Sequence, residues 1–188
     1  MCMKNILAIG IVALASLCFC VNAQDKGGAG NTPKQAAKAA AKKARAGKSA
    51  KAVAKALAEM EVLHAEPDMN AKYFIYLQSA SWCGPCRQEM PKIVAAYPEM
   101  KKKGVEIILV GADNTPEAMV KYLESFHAEF GGVHGRDPKV RDLPGFEPAA
   151  GIPAANFVDS RGNLIFTGHG SNVLKWESIF GIGKKKKK

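Results

Sequence analysis

The sequence predicts an α/β fold in which a mixed central sheet carries helices on both faces. Two continuous apolar runs of strand length are each followed by a helical pattern, and two later strand-like segments are joined by a short turn. Parallel strands that are connected through helices, followed by an antiparallel hairpin, form a mixed sheet. The predicted order of elements is therefore β-α-β-α-β-β-α, within one domain at residues 59–183.

The first strand and the first helix of this domain flank a Cys-x-x-Cys motif. The apolar run from Tyr73 to Leu77 suits a strand that is buried on both faces. The motif follows at Cys83 and Cys86, and a helical pattern of apolar residues continues to Gly104, which three lysines precede. Cations and a glycine are typical of a helix C-terminus, so the helix is expected to end there.

The remaining elements follow the same alternation of apolar runs and turn signals. In chain order they are a strand at 105–110, a helix that opens at 114–117 and ends at 131–132, a loop rich in charge, glycine and proline at 134–151, strands at 155–158 and 164–167, and a short helix at 172–180. The five residues 159–163 have the composition of a hairpin turn, which makes the last two strands antiparallel.

The formal charge of +10 is concentrated outside this domain. Residues 59–183 carry 12 basic and 16 acidic side chains, whereas residues 24–58 carry nine basic and one acidic, and the tail at 184–188 is five lysines. A folded nucleic-acid-binding protein usually carries its basic residues on the folded surface. The distribution therefore argues against nucleic acid as a partner of the domain.

Residues 1–23 have the pattern of a secretory signal peptide. An apolar run at 6–21 follows one lysine, and small or aliphatic residues precede a cleavage site after Ala23. A retained membrane anchor is an alternative, although the run is shorter than the roughly 20 residues that a spanning helix needs. A lipoprotein is a further alternative, but the residues before Cys18 and Cys20 do not form a lipobox. Cleavage would leave one cysteine pair in an exported protein of the periplasm or cell envelope, an oxidising compartment.

Residues 24–58 are predicted to form a basic, Ala/Lys-rich and partly helical linker. Val53, Leu57 and Met60 are spaced i, i+4 and i+7, so the end of the linker is expected to rest on the domain. The linker is interpreted either as a solvated tether or as an arm that adheres to an anionic envelope surface. The lysine tail at 184–188, which is expected to be disordered, would add to this adhesion. A nucleic-acid role for the arm is a third alternative, but an exported protein rarely meets nucleic acid.

The Cys-x-x-Cys motif has the residues that thiol chemistry needs at a strand–helix junction. Cys83 is predicted at the helix N-terminus, where unpaired amides and the helix dipole favour a thiolate. Cys86 lies one turn further along, close enough to form a disulfide with it. Pro85 presets the first helical turn, Gly84 leaves room for a substrate backbone, and Trp82 shields one side of the pair.

Two other roles of the cysteine pair are considered. A static disulfide would close only a very short loop and would therefore gain little stability from chain entropy. A zinc site needs four ligands, and the sequence has no second Cys-x-x-Cys or His-x₃-His, while its four histidines are scattered. The motif together with its strand–helix context therefore predicts a redox-active pair.

The motif also resembles a known family. Trp-Cys-Gly-Pro-Cys at residues 82–86 resembles the active site of the thioredoxin superfamily, and Arg-Gln-Glu-Met-Pro at 87–91 is similar to its exported TlpA/ResA branch. Gly-Ile-Pro at 151–153 is similar to the cis-proline site of the same family. The resemblance implies a thioredoxin fold in which Pro153 is cis and faces the cysteines, and Ile152 offers backbone groups to an extended substrate segment.

The sequence departs from thioredoxin in the groups that transfer protons. Leu77 occupies the position of the buried aspartate six residues before the first cysteine, and an apolar run at 107–110 replaces a nearby lysine. The resemblance to the exported branch makes Glu89 the candidate that shuttles a proton to Cys86. The alternative is that Glu89 is an ordinary solvated glutamate of the helix, which is the usual environment of this residue type.

The resemblance implies an exported thiol–disulfide oxidoreductase with Cys83 as nucleophile and Cys86 as resolving thiol. The Gly-Pro pair between them resembles reducing members, so a reductant of protein disulfides is expected, with neither an organic cofactor nor a metal. The implied partners are disulfide-bearing proteins such as apocytochrome c, and a membrane electron donor of the DsbD/CcdA type. The alternatives are an oxidant or isomerase of envelope disulfides, and an envelope-binding module that uses the basic arm on a redox fold.

Overall fold

A five-stranded mixed sheet forms the centre of the structure, a computed structural model that describes residues 51–183. In chain order the strands are β1 Tyr73–Ser79, β2 Val105–Gly111, β3 Gly132–His134, β4 Ala154–Asp159 and β5 Leu164–His169. Their order across the sheet is β3-β2-β1-β4-β5. The pairs β1–β2 and β2–β3 are parallel, whereas β1–β4 and β4–β5 are antiparallel. The predicted mixed sheet, including its C-terminal hairpin, is confirmed.

Helices cover both faces of this sheet, as predicted. The α-helices are α1 Ala52–Ala58, α2 Gly84–Lys102, α3 Pro116–Ser125 and α4 Trp176–Phe180, and two 3₁₀ turns span Pro138–Asp142 and Gly170–Lys175. Helices α2, α3 and α4 pack on one face of the sheet. Helix α1 and the segment around the first 3₁₀ turn pack on the other.

The central strand β1 supplies side chains to both cores. Ile75 and Leu77 join the core beneath α2, and Phe74 and Tyr76 join the core beneath α1. Successive side chains of a strand point to opposite faces, so a strand that is covered on both sides is apolar at every position. This explains why the continuous apolar run at 73–77 predicts the strand correctly.

Helix α1 anchors the end of the predicted linker in the domain. Val53 and Leu57 are fully buried, and the N–H of Val53 donates to the carbonyl oxygen of Ser160 at 3.2 Å. The docking predicted from the i, i+4 spacing is thus confirmed for this segment. The packed domain consequently includes the end of the predicted linker at 24–58.

The short edge strand β3 is missing from the predicted order of elements. The sequence predicts a helix end at 131–132 and a loop from residue 134 onward, whereas α3 ends at Ser125 and β3 spans Gly132–His134. Three residues are too few for a periodic pattern, and paired glycines imitate a helix stop. A Cβ on Gly132 would lie 2.7 Å from the carbonyl oxygen of Leu109, so glycine here permits close pairing with β2.

The predicted signal peptide at 1–23, most of the linker and the lysine tail at 184–188 lie outside the described residues. Within residues 51–183, no helix has both the length and the apolar composition that crossing a bilayer requires.

Candidate active site

The turn between β1 and α2 positions the first cysteine at the start of the helix. Cys83 is the N-cap residue, with an extended backbone at φ −84° and ψ 110°, and Pro85 lies in the first helical turn. The N–H of Cys86 donates to the Sγ of Cys83 at 3.3 Å, and the N–H of Arg87 donates to the carbonyl oxygen of Cys83 at 3.1 Å. One amide at the helix N-terminus, that of Cys86, is therefore directed toward this sulfur.

Cys83 and Cys86 form a disulfide, with their Cα atoms 5.2 Å apart. Both cysteines are buried, whereas Gly84 and Pro85 are exposed above them. A Cβ on Gly84 would meet no atom within 4 Å, so the space over the motif is open to an approaching molecule. Trp82 is 65% exposed, and its indole N–H donates to the carbonyl oxygen of Ala112 at 3.4 Å.

The segment before β4 completes the site on the opposite side of the disulfide. The peptide bond between Ile152 and Pro153 is cis, as predicted. The carbonyl oxygen of Ile152 lies 3.7 Å from the Sγ of Cys83, and its side chain packs against Ala80 and the two cysteines. Pro153 is itself buried, and its carbonyl oxygen accepts a 3.0 Å hydrogen bond from the N–H of Gly170.

The structure places Glu89 on the flank of α2. Its side chain is 20% exposed, and its carboxylate lies 3.9 Å from the Nζ of Lys92, one helical turn further along. Leu77 is buried in the core beneath α2 at the position where thioredoxin carries an aspartate. The part of Glu89 in proton transfer stays a prediction.

A buried carboxylate that the sequence patterns do not indicate lies close to the motif. Asp113 is 1% exposed, and its Oδ1 accepts hydrogen bonds from the N–H and the hydroxyl of Ser81 at 3.0 and 2.6 Å. Its Oδ2 is buried without a hydrogen-bond partner among the described residues. The position of Asp113 in the sequence could have indicated it, because it follows a buried strand at the carboxyl edge of the sheet. Ligands of α/β proteins bind at this edge.

The buried side-chain amides of Gln78 and Asn156 form a hydrogen-bond network that fixes the chain leading to the cis peptide. The sequence did not predict this network. The Nε2 of Gln78 donates to the carbonyl oxygen of Glu147 at 2.9 Å and to the Oδ1 of Asn156 at 3.2 Å. Its Oε1 accepts from the N–H of Ala149 at 2.9 Å. The sheet therefore holds the loop directly before Gly151 through side chains that lie about 70 positions away in sequence.

Comparison with known proteins relates this geometry to a family. Residues 70–142 match the family model described as Thioredoxin-like. The thiol-disulfide oxidoreductase ResA of Oceanobacillus iheyensis is 33% identical over 97 residues, which cover 52% of this chain and 49% of that protein. ResA of Geobacillus kaustophilus is 33% identical over 90 residues, which cover 47% and 50%. The chain spans about half the length of the curated relatives that it matches.

Solved structures show the same fold. A thiol:disulfide interchange protein from Bacteroides sp. superposes with a TM-score of 0.51 at 22% identity, covering 63% of this chain and 79% of that one. A thioredoxin family protein from Chlorobium tepidum has a TM-score of 0.51 at 20% identity, covering 60% and 80%. A cysteine-to-alanine variant of tryparedoxin-I has a TM-score of 0.53 at 21% identity, covering 72% and 99%. The predicted thioredoxin fold is confirmed.

Proposed function

Because the chain contains a thioredoxin-like domain with a disulfide at its strand–helix junction, we propose that this protein is a thiol–disulfide oxidoreductase that reduces disulfides of other proteins. One observation carries the proposal. The Cys83–Cys86 disulfide lies at the N-terminus of α2, under an open surface and next to the cis peptide before Pro153. A pair that served only to stabilise the fold would have no need of this access.

In the proposed reaction, the reduced pair donates two electrons to a substrate disulfide. The thiolate of Cys83 attacks one substrate sulfur, forming a mixed disulfide and releasing the other substrate sulfur as a thiolate. The thiol of Cys86 loses its proton and attacks the Sγ of Cys83, which restores the disulfide seen in the structure and releases the second substrate thiolate. The substrate gains the two electrons, and a donor dithiol then reduces the Cys83–Cys86 disulfide again.

The residues around the pair have complementary roles in this proposal. The amides and dipole at the start of α2 stabilise the Cys83 thiolate, and the N–H of Cys86 already points at this sulfur. The exposed Gly84 and Pro85 let an extended substrate approach, and Ile152 offers its backbone to that substrate. Trp82 covers one side, while Glu89 is the proposed proton acceptor for Cys86. This exchange uses no organic cofactor and no metal.

The proposal extends to the compartment and the partners. The signal-like residues 1–23 support export to the periplasm or cell envelope, where a reductant needs electrons delivered across the membrane by a donor of the DsbD/CcdA type. Apocytochrome c whose cysteine pair is oxidised to a disulfide, and wrongly oxidised envelope proteins, are the proposed substrates. The basic residues of the linker and tail are proposed to hold the protein at an anionic envelope surface.

Insulin reduction driven by dithiothreitol tests the activity. Wild type is expected to accelerate precipitation of the insulin B chain, and Cys83→Ser to abolish this acceleration. Cys86→Ser is expected to accumulate a mixed disulfide, whose partner in cell-envelope extracts then identifies a substrate. A wild-type protein without activity would contradict the proposal and favour an envelope-binding module.

The reduction potential of the Cys83–Cys86 pair tests the direction of transfer. A reductant is expected to show a potential near the roughly −270 mV of thioredoxin. A potential near the roughly −120 mV of strongly oxidising family members would refute the reducing direction and identify an oxidant or isomerase.

A further inference from the structure

A pocket of about 310 Å³ opens next to the disulfide, at the carboxyl ends of β1 and β2. Two of its lining residues contact the motif at residues 82–86. Ile152 lines the pocket and places its carbonyl oxygen 3.7 Å from the Sγ of Cys83, and Ala112 lines it and accepts the indole hydrogen bond of Trp82. A polypeptide whose sulfur reaches Cys83 therefore has its neighbouring side chains at the mouth of this pocket.

The charge of the pocket contrasts with that of the domain. Among the lining residues the charged side chains are those of Arg136 and Arg141, although acidic residues outnumber basic ones across residues 59–183. The guanidinium of Arg136 donates to the amide oxygen of Asn114 at 2.9 Å, which orients it without neutralising its charge. The described residues place no carboxylate within ion-pair distance of either arginine. The two positive charges therefore remain available to a ligand.

The walls that carry these arginines are anchored in the core. Arg141 lies in the 3₁₀ turn Pro138–Asp142, which is capped by Asp137 and fixed by the buried Val140. The part of the wall formed by Pro148 and Ala149 is held by the hydrogen bonds that Gln78 makes to the backbone of Glu147 and Ala149. A pocket that is formed before binding loses less conformational entropy when a ligand enters it.

We propose that this pocket selects substrates that carry an acidic side chain next to the disulfide that is reduced. The inference rests on the proposed function and names the substrate class of the same site. Arginine binds a carboxylate through paired N–H groups, so two arginines favour aspartate or glutamate. The volume is at the lower end of the range for small-ligand sites, so it admits one or two side chains of an extended segment rather than a folded element.

Peptide reduction tests the selection. Three peptides with the same internal disulfide carry glutamate, glutamine or lysine beside the cysteines, and reduction of each by the reduced full-length protein is followed by stopped-flow fluorescence. Wild type is expected to reduce the glutamate peptide about tenfold faster than the glutamine peptide at low salt, with the lysine peptide slowest. Added salt should narrow these differences, because it screens exposed charges.

Substitution of the arginines identifies the pocket as the origin of the preference. Arg136→Gln combined with Arg141→Gln is expected to give equal rates for the glutamate and glutamine peptides. Arg161→Gln is the matched control, because Arg161 is an exposed arginine in the turn at the far end of β4, where it pairs with Asp159. This control is expected to keep the wild-type preference.

Each contrary result has a distinct meaning. Equal wild-type rates for all three peptides overturn the inference and leave the proposed function intact, whereas no reduction of any peptide overturns the proposed function. A double variant that slows all peptides equally also overturns the inference.

Calorimetry of the oxidised wild-type protein with serine-substituted peptides gives a readout independent of activity. Tighter binding of the glutamate than of the lysine peptide supports the inference, and equal binding overturns it.

Discussion

Two glycines near Pro153 differ in the space around them, and this difference yields a prediction at the scale of single residues. A Cβ on Gly170 would lie 2.6 Å from the Cβ of Pro153, whereas a Cβ on Gly151 would meet no atom within 4 Å. Gly170→Ala is expected to lower the free energy of unfolding by about 1–3 kcal/mol, because the buried proline must shift. Urea denaturation measures this change.

Gly151→Ala is the matched control on the other side of the proline. Its unfolding free energy is expected to stay within about 0.5 kcal/mol of wild type. Wild-type stability in Gly170→Ala would show that this contact does not hold the cis-proline segment. If the position of Pro153 also matters for exchange, Gly170→Ala slows insulin reduction more than Gly151→Ala does.

At this scale, the sequence best predicts the role of a site residue when that role depends on residues close to it in the chain. Cys83, Cys86 and the cis peptide at Pro153 were predictable, because a short motif determines the chemistry and a resemblance connects the two segments. Asp113 and Gln78 were not, because their importance arises from hydrogen bonds that span 32 and about 70 positions. A polar side chain at the end of an apolar strand has the same appearance in sequence whether it is buried or solvated.

At the scale of elements, helix α1 contributes to the stability of the domain. Leu57 is 1% exposed in the core beneath α1, whereas Lys55 on the same helix is exposed. Leu57→Ala is expected to lower the unfolding free energy by about 2–5 kcal/mol, because it removes buried methyl groups and leaves a cavity. Lys55→Ala is the control and should change this energy by less than about 0.5 kcal/mol. Equal stability of the two variants would contradict the packing of α1 on the sheet.

A buried carboxylate joins β2 to α2 and makes stability depend on pH. The hydroxyl of Tyr97 donates to the Oε1 of Glu106 at 2.6 Å, and the N–H of Asp68 donates to its Oε2 at 3.0 Å. Burial nevertheless raises the pKa of Glu106 above its ordinary value of 4.5. The folded protein therefore holds a proton that the unfolded chain releases at lower pH. The stabilisation by Glu106 is complete below pH 4.5 and is lost as the pH rises through the raised pKa.

This linkage predicts a measurable slope. The unfolding free energy of wild type minus that of Glu106→Gln should fall as the pH rises above 4.5, by at most about 1.4 kcal/mol per pH unit. Glu99→Gln provides a control of opposite sign, because the exposed Glu99 pairs with Lys102, which lowers its pKa. The corresponding difference for Glu99 should rise as the pH rises toward 4.5 and stay level above it. A Glu106 difference that does not fall above pH 4.5 would refute the assignment to Glu106.

The elements differ in how far the sequence predicts them. Strands β1 and β2 are apolar throughout because both of their faces are covered, so they were predicted within two residues at each end. Strand β3 has three residues and pairs with β2 through a glycine, so neither periodicity nor strand propensity reveals it. The segment predicted as a loop at 134–151 begins with the last residue of β3 and contains the 3₁₀ turn Pro138–Asp142. Its composition does not indicate that Arg136 and Arg141 face a common pocket.

At the scale of the whole molecule, the distribution of charge suggests that surface attachment and disulfide exchange belong to different parts of the chain. The domain that carries the disulfide is acidic, while seven basic residues at 24–50 and five lysines at 184–188 lie outside it. Each basic side chain near an anionic lipid surface contributes about 1 kcal/mol of attraction. We therefore expect the flanking segments to govern attachment to a surface, and the domain to govern exchange.

A comparison of the protein at 24–188 with the domain at 51–183 tests this division. Both are expected to reduce insulin at the same rate. The longer protein should bind vesicles that contain phosphatidylglycerol at least tenfold more tightly than the domain, and neither should bind vesicles of phosphatidylcholine alone. The truncation must stop at residue 50, because removal of Val53 and Leu57 would open the core. Equal binding to phosphatidylglycerol would exclude the basic flanks as the adhesive segment, and a loss of insulin reduction would show that they take part in exchange.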